Sequence, residues 1–305
     1  MPPLMTYEPS GRFHPAALIG LPLLTAISSS VLAWFYVWAA WHCPVVVLRA
    51  FLPAVWGFLT GLIAALGVYW FNVRNPKAAV VLALSGALAG YAMSWVFWTD
   101  LALSVPEIAF YVRKMTSFHE TQLTGEYFER ITDIILDPGR IIAAAKITYG
   151  QGLWEVFRSG RNFTGPLLAA VWLGEAAIYF IFMAYKSRIQ AALPFSETSL
   201  CWLVKQPLPG VAWLPEGSEA VIDRVKNGDV NDLKVAPIEK KAVKSSHLVV
   251  KLSISENSED WSFISVTHMK IRKKGGLEPD VLIKNLAINS TLARTLNTRY
   301  SLDQT

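Results

Sequence analysis

Charge is the scarcest resource in this chain. Only 17% of its 305 residues are charged, against roughly 25% in ordinary soluble domains, so its apolar runs are too long for a water-soluble core. Cysteine is almost absent. Cys43 and Cys201 lie in different segments with no CxxC or Cys/His spacing, which excludes a disulfide framework and argues against zinc. The five histidines are dispersed, and no P-loop, HExxH or Ser/His/Asp order is present. No catalytic residue, metal or cofactor is therefore expected. The first apolar run covers about 26 residues, far beyond the 7–15 of a signal-peptide h-region. No internal repeat is visible.

What is there is 53% hydrophobic, with 12 Trp, and it predicts an α-helical membrane protein of four transmembrane helices with a small C-terminal α+β soluble domain. The spans are predicted at about 16–41, 53–71, 78–98 and 165–185, each long enough for a hydrocarbon core of about 30 Å at about 1.5 Å per residue. Residues 1–104 hold the N-terminal lead-in and three of these spans, and MPPLMTYEPSGRFHP reads as unstructured. Trp34, Tyr36, Trp38 and Trp41 crowd the end of the first span as an aromatic belt, an aromatic substrate site being the alternative. Pro53 is placed at the first helical position of the second span. Gly57-x-x-x-Gly61 and Gly86-x-x-x-Gly90 are small-residue stripes, from which the second and third spans are expected to pack on each other.

Residues 105–164 carry seven basic and seven acidic side chains and read as two or three extramembrane helices. One opens at Ser104-Val-Pro-Glu107, and another bears the stripe Tyr127, Phe128, Ile131, Ile134, Ile135. Residues 186–305 hold seventeen basic against thirteen acidic side chains. There Pro207, Pro209 and Pro215 mark a linker, and the folded part is expected at about 216–300. A helix is predicted over 216–225, strands over 246–256, 261–271 and 281–288, and a closing helix over 290–300.

Two features could carry chemistry. Glu175 is the one carboxylate inside the fourth apolar run, where an ionisable group needs an explanation. Its expected neighbours are Tyr179 on its own helix and Ser28–Ser30 across the bundle. It reads as a helix-packing carboxyl, with a proton or ion path as the alternative. Lys270, Arg272, Lys273 and Lys274 form a basic run, either a solvated strand end or a patch for anionic lipid headgroups; nucleic acid is not expected, since aromatic interleaving is missing nearby. The functions weighed are a membrane-anchored interaction or regulatory module with a protein partner for the C-terminal domain, a homo-oligomeric transporter or channel subunit using Glu175, and a membrane enzyme. The enzyme is the least favoured.

The order Tyr7-x-x-x-Gly11-Arg12, Arg74-Asn75, Tyr91-x-x-x-Trp95, a Gly-Leu-Trp154 break and Trp172-x-x-Glu175-Ala176 resembles a group of bacterial polytopic membrane proteins of unknown function. The resemblance covers roughly residues 7–195. It implies a multi-pass inner-membrane topology and supplies no reaction. The group often follows its last span with a Pro-aromatic-Cys-x-x-Cys element; here Pro194-Phe195 through Cys201-Trp202 keeps the frame with one cysteine.

Overall fold

The computed structural model describes residues 6–43, 46–104, 108, 127–152, 164–203, 205–213, 223, 227, 235–236, 247–255, 260–271 and 277–302. The chain divides into two compact units, Gly11–Ala191 and Met1–Ser10 with Ala192–Thr305.

The first unit is built on four helices long and apolar enough to cross a membrane: α1 (Ala17–His42), α2 (Val46–Trp70), α3 (Pro76–Leu103) and α6 (Gly165–Ala191). Their outward faces stay apolar, with Ile19, Val81, Leu173 and Ile181 all exposed. Water would penalise such a surface, whereas lipid accepts it, so the four helices fit a multi-pass membrane protein.

Local chemistry sets the helix ends. The second helix begins seven residues before the expected Pro53, which lies inside it. Arg49 explains the early start: its Nε donates to the Cys43 carbonyl at 2.5 Å and its Nη2 to that of Trp41 at 3.5 Å. The guanidinium thus satisfies the orphan carbonyls ending α1, and both helices can run to a very short link. α2 closes with Asn72 in the left-handed region (φ 48°) and the Val73 N–H returning 3.0 Å to the Val68 carbonyl, a Schellman-like stop. Asn75 then caps α3, its Oδ1 accepting from Lys77 and Ala78 N–H at 3.0 and 3.1 Å, with Pro76 at the first position.

The pairing of the helices differs from the expectation. α1 packs chiefly on α3 and α2 chiefly on α6, while α1–α2 and α3–α6 contacts close the ring. α2 and α3 are diagonal. Both glycine stripes make close approaches, but to other partners. A Cβ on Gly86 would lie 2.3 Å from the Pro22 carbonyl oxygen, and one on Gly90 would strike Ser29 Oγ, both on α1. A Cβ on Gly57 or Gly61 would meet Tyr179 Cα at 2.9 Å or the Phe182 carbonyl oxygen at 3.0 Å, both on α6. A small-xxx-small motif licenses close approach without naming the neighbour.

Two short helices, α4 (Tyr127–Leu136) and α5 (Pro138–Gln151), sit against the C-terminal end of α3. Ile131, Ile134, Ala143, Ala144 and Ile147 form one cluster with Val96, Ala102 and Leu103. The stripe expected on α4 is split. Ile131 and Ile134 are buried, whereas Phe128 and Ile135 project outward, as on a helix lying at a lipid interface. Of the helix expected after Ser104, all but Ile108 lies outside the described residues.

The second unit is an antiparallel sheet ordered β4-β3-β5-β6-β7, with β3 (Lys205–Trp213), β4 (Val235–Ala236), β5 (His247–Ser253), β6 (Trp261–Ile271) and β7 (Leu277–Asn289). A separate hairpin pairs β1 (Phe195–Ser196) with β2 (Cys201–Trp202). Alternation puts Leu248, Val250 and Leu252 of β5 on the face that joins Ile264, Ile283, Leu286 and Ile288, covered by Ala293 and Leu296 of α7 (Ser290–Leu302). Asp260 ties the unit together: its side chain accepts from Trp261 N–H at 2.9 Å and from Ser255 and Ser196 hydroxyls, and its carbonyl accepts from Ser290 at the start of α7.

Two expectations fail in this unit. The Pro207/Pro209 linker is strand β3, tolerated because the ladder to β5 is interrupted between Pro207 and Val211. The lead-in is not wholly unstructured, since Tyr7 N–H donates to the Asn285 carbonyl at 2.8 Å and its ring meets Phe263 edge-on. The helix expected over 216–225 lies, apart from Asp223, outside the described residues.

The seam at Gly86 can be tested against Gly174, around which a Cβ meets nothing within 4 Å. Gly86→Ala should cost about 1–3 kcal/mol through overpacking on α1, while Gly174→Ala should gain up to about 1 kcal/mol from helix propensity. Thermal unfolding in detergent reads both, and equal melting temperatures for the two variants would contradict the α1–α3 seam.

Candidate functional site

One ring from each long helix joins a cluster inside the bundle, and three of them, Tyr36, Trp56 and Tyr91, form the floor of a cavity. Trp56 of α2 is stacked on both sides, by Tyr36 of α1 (centroids 4.7 Å apart, planes 12°) and by Tyr179 of α6 (4.0 Å, 23°). Tyr91 of α3 lies 6.2 Å from Tyr179. Hydrogen bonds fix the stack: Tyr179 donates to the Ala87 carbonyl at 3.2 Å, and Trp56 Nε1 donates to the Ser29 carbonyl at 3.4 Å. Such a bond keeps a buried hydroxyl or indole N–H from being orphaned.

Above this floor the walls are Val37, Ala40 and Trp41 of α1, Ser94, Trp95 and Trp98 of α3, and Trp172 of α6, with Glu175 on the inner wall. The cavity leaves about 50 Å³ for the centres of water-sized guests, more than the roughly 10–15 Å³ that a single water needs. Glu175 lies ten residues into α6, or about 15 Å along its axis. Trp95, Trp98 and Trp172 meet edge to face, with centroids 5.2–6.3 Å apart and planes at 72–78°. Trp95 and Trp172 are shared walls: on their other side runs an apolar groove bordered by Ile141, Ile142, Ala145, Lys146 and Tyr149 of α5.

The structure redraws the surroundings expected for Glu175. Tyr179 stacks on Trp56 outside the cavity lining and donates its hydroxyl to the Ala87 carbonyl. Ser28 bonds back to the Thr25 carbonyl at 3.3 Å, and Ser29 is pressed against Gly90. The group facing the Glu175 carboxyl is the Tyr36 hydroxyl, two turns beyond the serines. Among the described residues no basic side chain lines the cavity, and no group of three His, Cys, Asp or Glu could hold a metal.

The aromatic belt is half belt and half site. Tyr36 and Trp41 line the cavity, while Trp34 and Trp38 project outward. Helical spacing puts 36, 37 and 40 on one face, but Trp41, three residues from Trp38 and seven from Trp34, shares the face of the outward pair by spacing. The residues quoted for the family resemblance also converge. Tyr91, Trp95, Trp172 and Glu175 meet in the cavity, and at the opposite end of the bundle Gly11, Arg12, Arg74 and Asn75 are joined by main-chain bonds and by Asn75 Nδ2 donating to Gly11 O at 3.4 Å. Of the basic run, Lys270 is exposed and paired with Asp280 across β6 and β7; Arg272, Lys273 and Lys274 lie outside the described residues.

Near the mouth, Asp100 of α3 holds Arg130 of α4 through Nε at 2.9 Å and Nη2 at 3.5 Å, and Arg130 also lies 5.7 Å from the Tyr127 ring centroid. The hydrogen bond to Asp100 raises the Arg130 pKa, and burial raises that of Tyr127. Arg130 therefore keeps its charge at any working pH. Compared with known protein families, curated proteins and solved structures, the chain matches none.

Asp100→Asn should weaken the tether of α4 by about 1 kcal/mol, a partly exposed pair being discounted for solvent. The readout is amide exchange over 127–136, expected to be about fivefold faster by local opening, and unchanged exchange would show that the pair does not hold α4.

Proposed function

We propose that the protein is a ligand-responsive, membrane-anchored regulatory module of a bacterial inner (plasma) membrane. In this reading α1, α2, α3 and α6 span the bilayer, both termini are cytoplasmic, and the C-terminal domain meets a protein partner. The cavity around Glu175 then opens toward the opposite side, where α4 and α5 lie, so that a ligand arriving there can be reported across the membrane.

The observation that carries this reading is the blind floor. Trp56 and Tyr179 are fully packed between the helices, and beyond them the contacts at Gly86 and Gly90 leave no gap between α1 and α3. Among the described residues the cavity is therefore closed at its Trp56 end. A transporter subunit using Glu175 would need a second opening or a second copy. A membrane enzyme has less support still, because the cavity brings together one carboxyl and no histidine, lysine or second carboxyl among the described residues. For the lipid-facing basic patch, the pairing of Lys270 with Asp280 leaves headgroup attraction to Arg272, Lys273 and Lys274.

Two measurements test the proposal. Reporter fusions at residues 76 and 140 should lie on opposite sides of the membrane, and the same side for both would break the four-span topology. In proteoliposomes carrying a pH-sensitive dye, wild type and Glu175→Gln should both leak no faster than empty vesicles. Proton or ion flux that Glu175→Gln abolishes would establish the transporter instead.

A further inference from the structure

We propose that the cavity around Glu175 binds a small methylated ammonium ion, the carboxylate supplying the charge and the tryptophan faces the contact surface. This rests on the reading of the cavity as a ligand site and names the chemistry of its occupant.

Charge comes first. Among the described residues Glu175 is the one ionisable carboxyl lining the cavity, and the group facing it is the Tyr36 hydroxyl. An anion is repelled by an ionised Glu175, and a neutral apolar guest would add no counter-charge to the single hydroxyl of Tyr36 that faces it. A cation gives Glu175 the counter-charge that no described residue lining the cavity provides.

The rings decide which cation. Trp56 has both faces covered and only closes the floor. Trp95, Trp98 and Trp172 are mutually edge-on, so they turn π-faces in different directions, as the sides of a box do. An aromatic box is the arrangement that attracts quaternary ammonium through the ring quadrupole. Oxygen is scarce by comparison: besides the carboxylate there are the hydroxyls of Tyr36, Tyr91 and Ser94, and Ser94 is already bonded to the Tyr91 carbonyl at 2.7 Å. A potassium or sodium ion must exchange its hydration shell for a ring of oxygens, which these groups do not form. A primary ammonium brings three N–H donors that each seek an acceptor. Methyl groups on nitrogen seek none, and weak hydration makes their transfer to ring faces cheap.

The test titrates tetramethylammonium chloride into the full-length protein in maltoside detergent at constant ionic strength, followed by tryptophan fluorescence and calorimetry. Potassium chloride, methylammonium and the neutral isostere tert-butanol are the comparators. Tetramethylammonium should bind saturably, at least about tenfold tighter than tert-butanol, and potassium should not compete. Glu175→Gln, nearly isosteric, should weaken tetramethylammonium by about tenfold or more while the ligand-free melting temperature holds. Should that variant fold poorly, Trp172→Leu gives a second reading: a several-fold loss, largely recovered by Trp172→Phe.

Equal affinity for tert-butanol and tetramethylammonium, indifferent to Glu175→Gln, overturns the cation and leaves an apolar ligand site. Methylammonium binding more tightly than tetramethylammonium overturns the methylated class in favour of a hydrogen-bonded amine. If none of the probes binds, the cation is overturned, and the flux measurement then separates a conduit from a module that acts without a small ligand.

Discussion

The stack of Tyr36, Trp56 and Tyr179 is the joint on which the bundle turns. For apolar helices that fit a membrane, packing and hydrogen bonds must do the holding, because lipid would remove the hydrophobic attraction between them. Here two seams of small residues hold α1 to α3 and α2 to α6, and the rings lock those two pairs to each other. Trp56 reaches from α2 to bond the Ser29 carbonyl on α1, and Tyr179 reaches from α6 to the Ala87 carbonyl on α3. Each of these crosses from one pair to the other. The cavity exists because the rings above the joint meet by their edges rather than closing face to face.

The element types were legible from the sequence wherever periodicity was strong. Each long apolar run is a helix, and the alternation of His247–Ser253 and Trp261–Ile271 is the centre of the sheet. Partners and boundaries were harder. GxxxG says that some backbone comes close, and nothing in Gly57 or Gly86 distinguishes α6 from α3 or α1. Pro53 looked like a start because the side chain that extends the helix past it, Arg49, acts through carbonyls of the preceding helix. Pro207 and Pro209 looked like a linker because proline excludes an ordinary ladder, and the irregularity that admits them is a property of the pairing with β5.

Of the site, the sequence exposed the charged residue and hid its setting. Glu175 stood out because a carboxylate is costly in an apolar run. Its neighbours could only be sought on its own helix, which favoured Tyr179 over Tyr36, although Tyr36 comes from a helix more than a hundred residues earlier. Trp41 and Trp98 read as interface anchors, since a tryptophan near a helix end is ordinarily explained by the headgroup region. Only the fold shows which of them turn inward.

The alternating seams also bear on how the chain is made. Helices leave the ribosome in order, at about 5–20 residues per second. α1 finds its close-fitting partner only when α3 follows, and α2 must wait for α6, whose first residue comes 95 positions after Trp70. Throughout that interval the groove cut by Gly57 and Gly61 is open to whatever lies beside it. The nascent α2 is therefore the long helix that waits longest for its close-fitting partner, and the last of the four long helices to emerge completes both the second pair and the pocket.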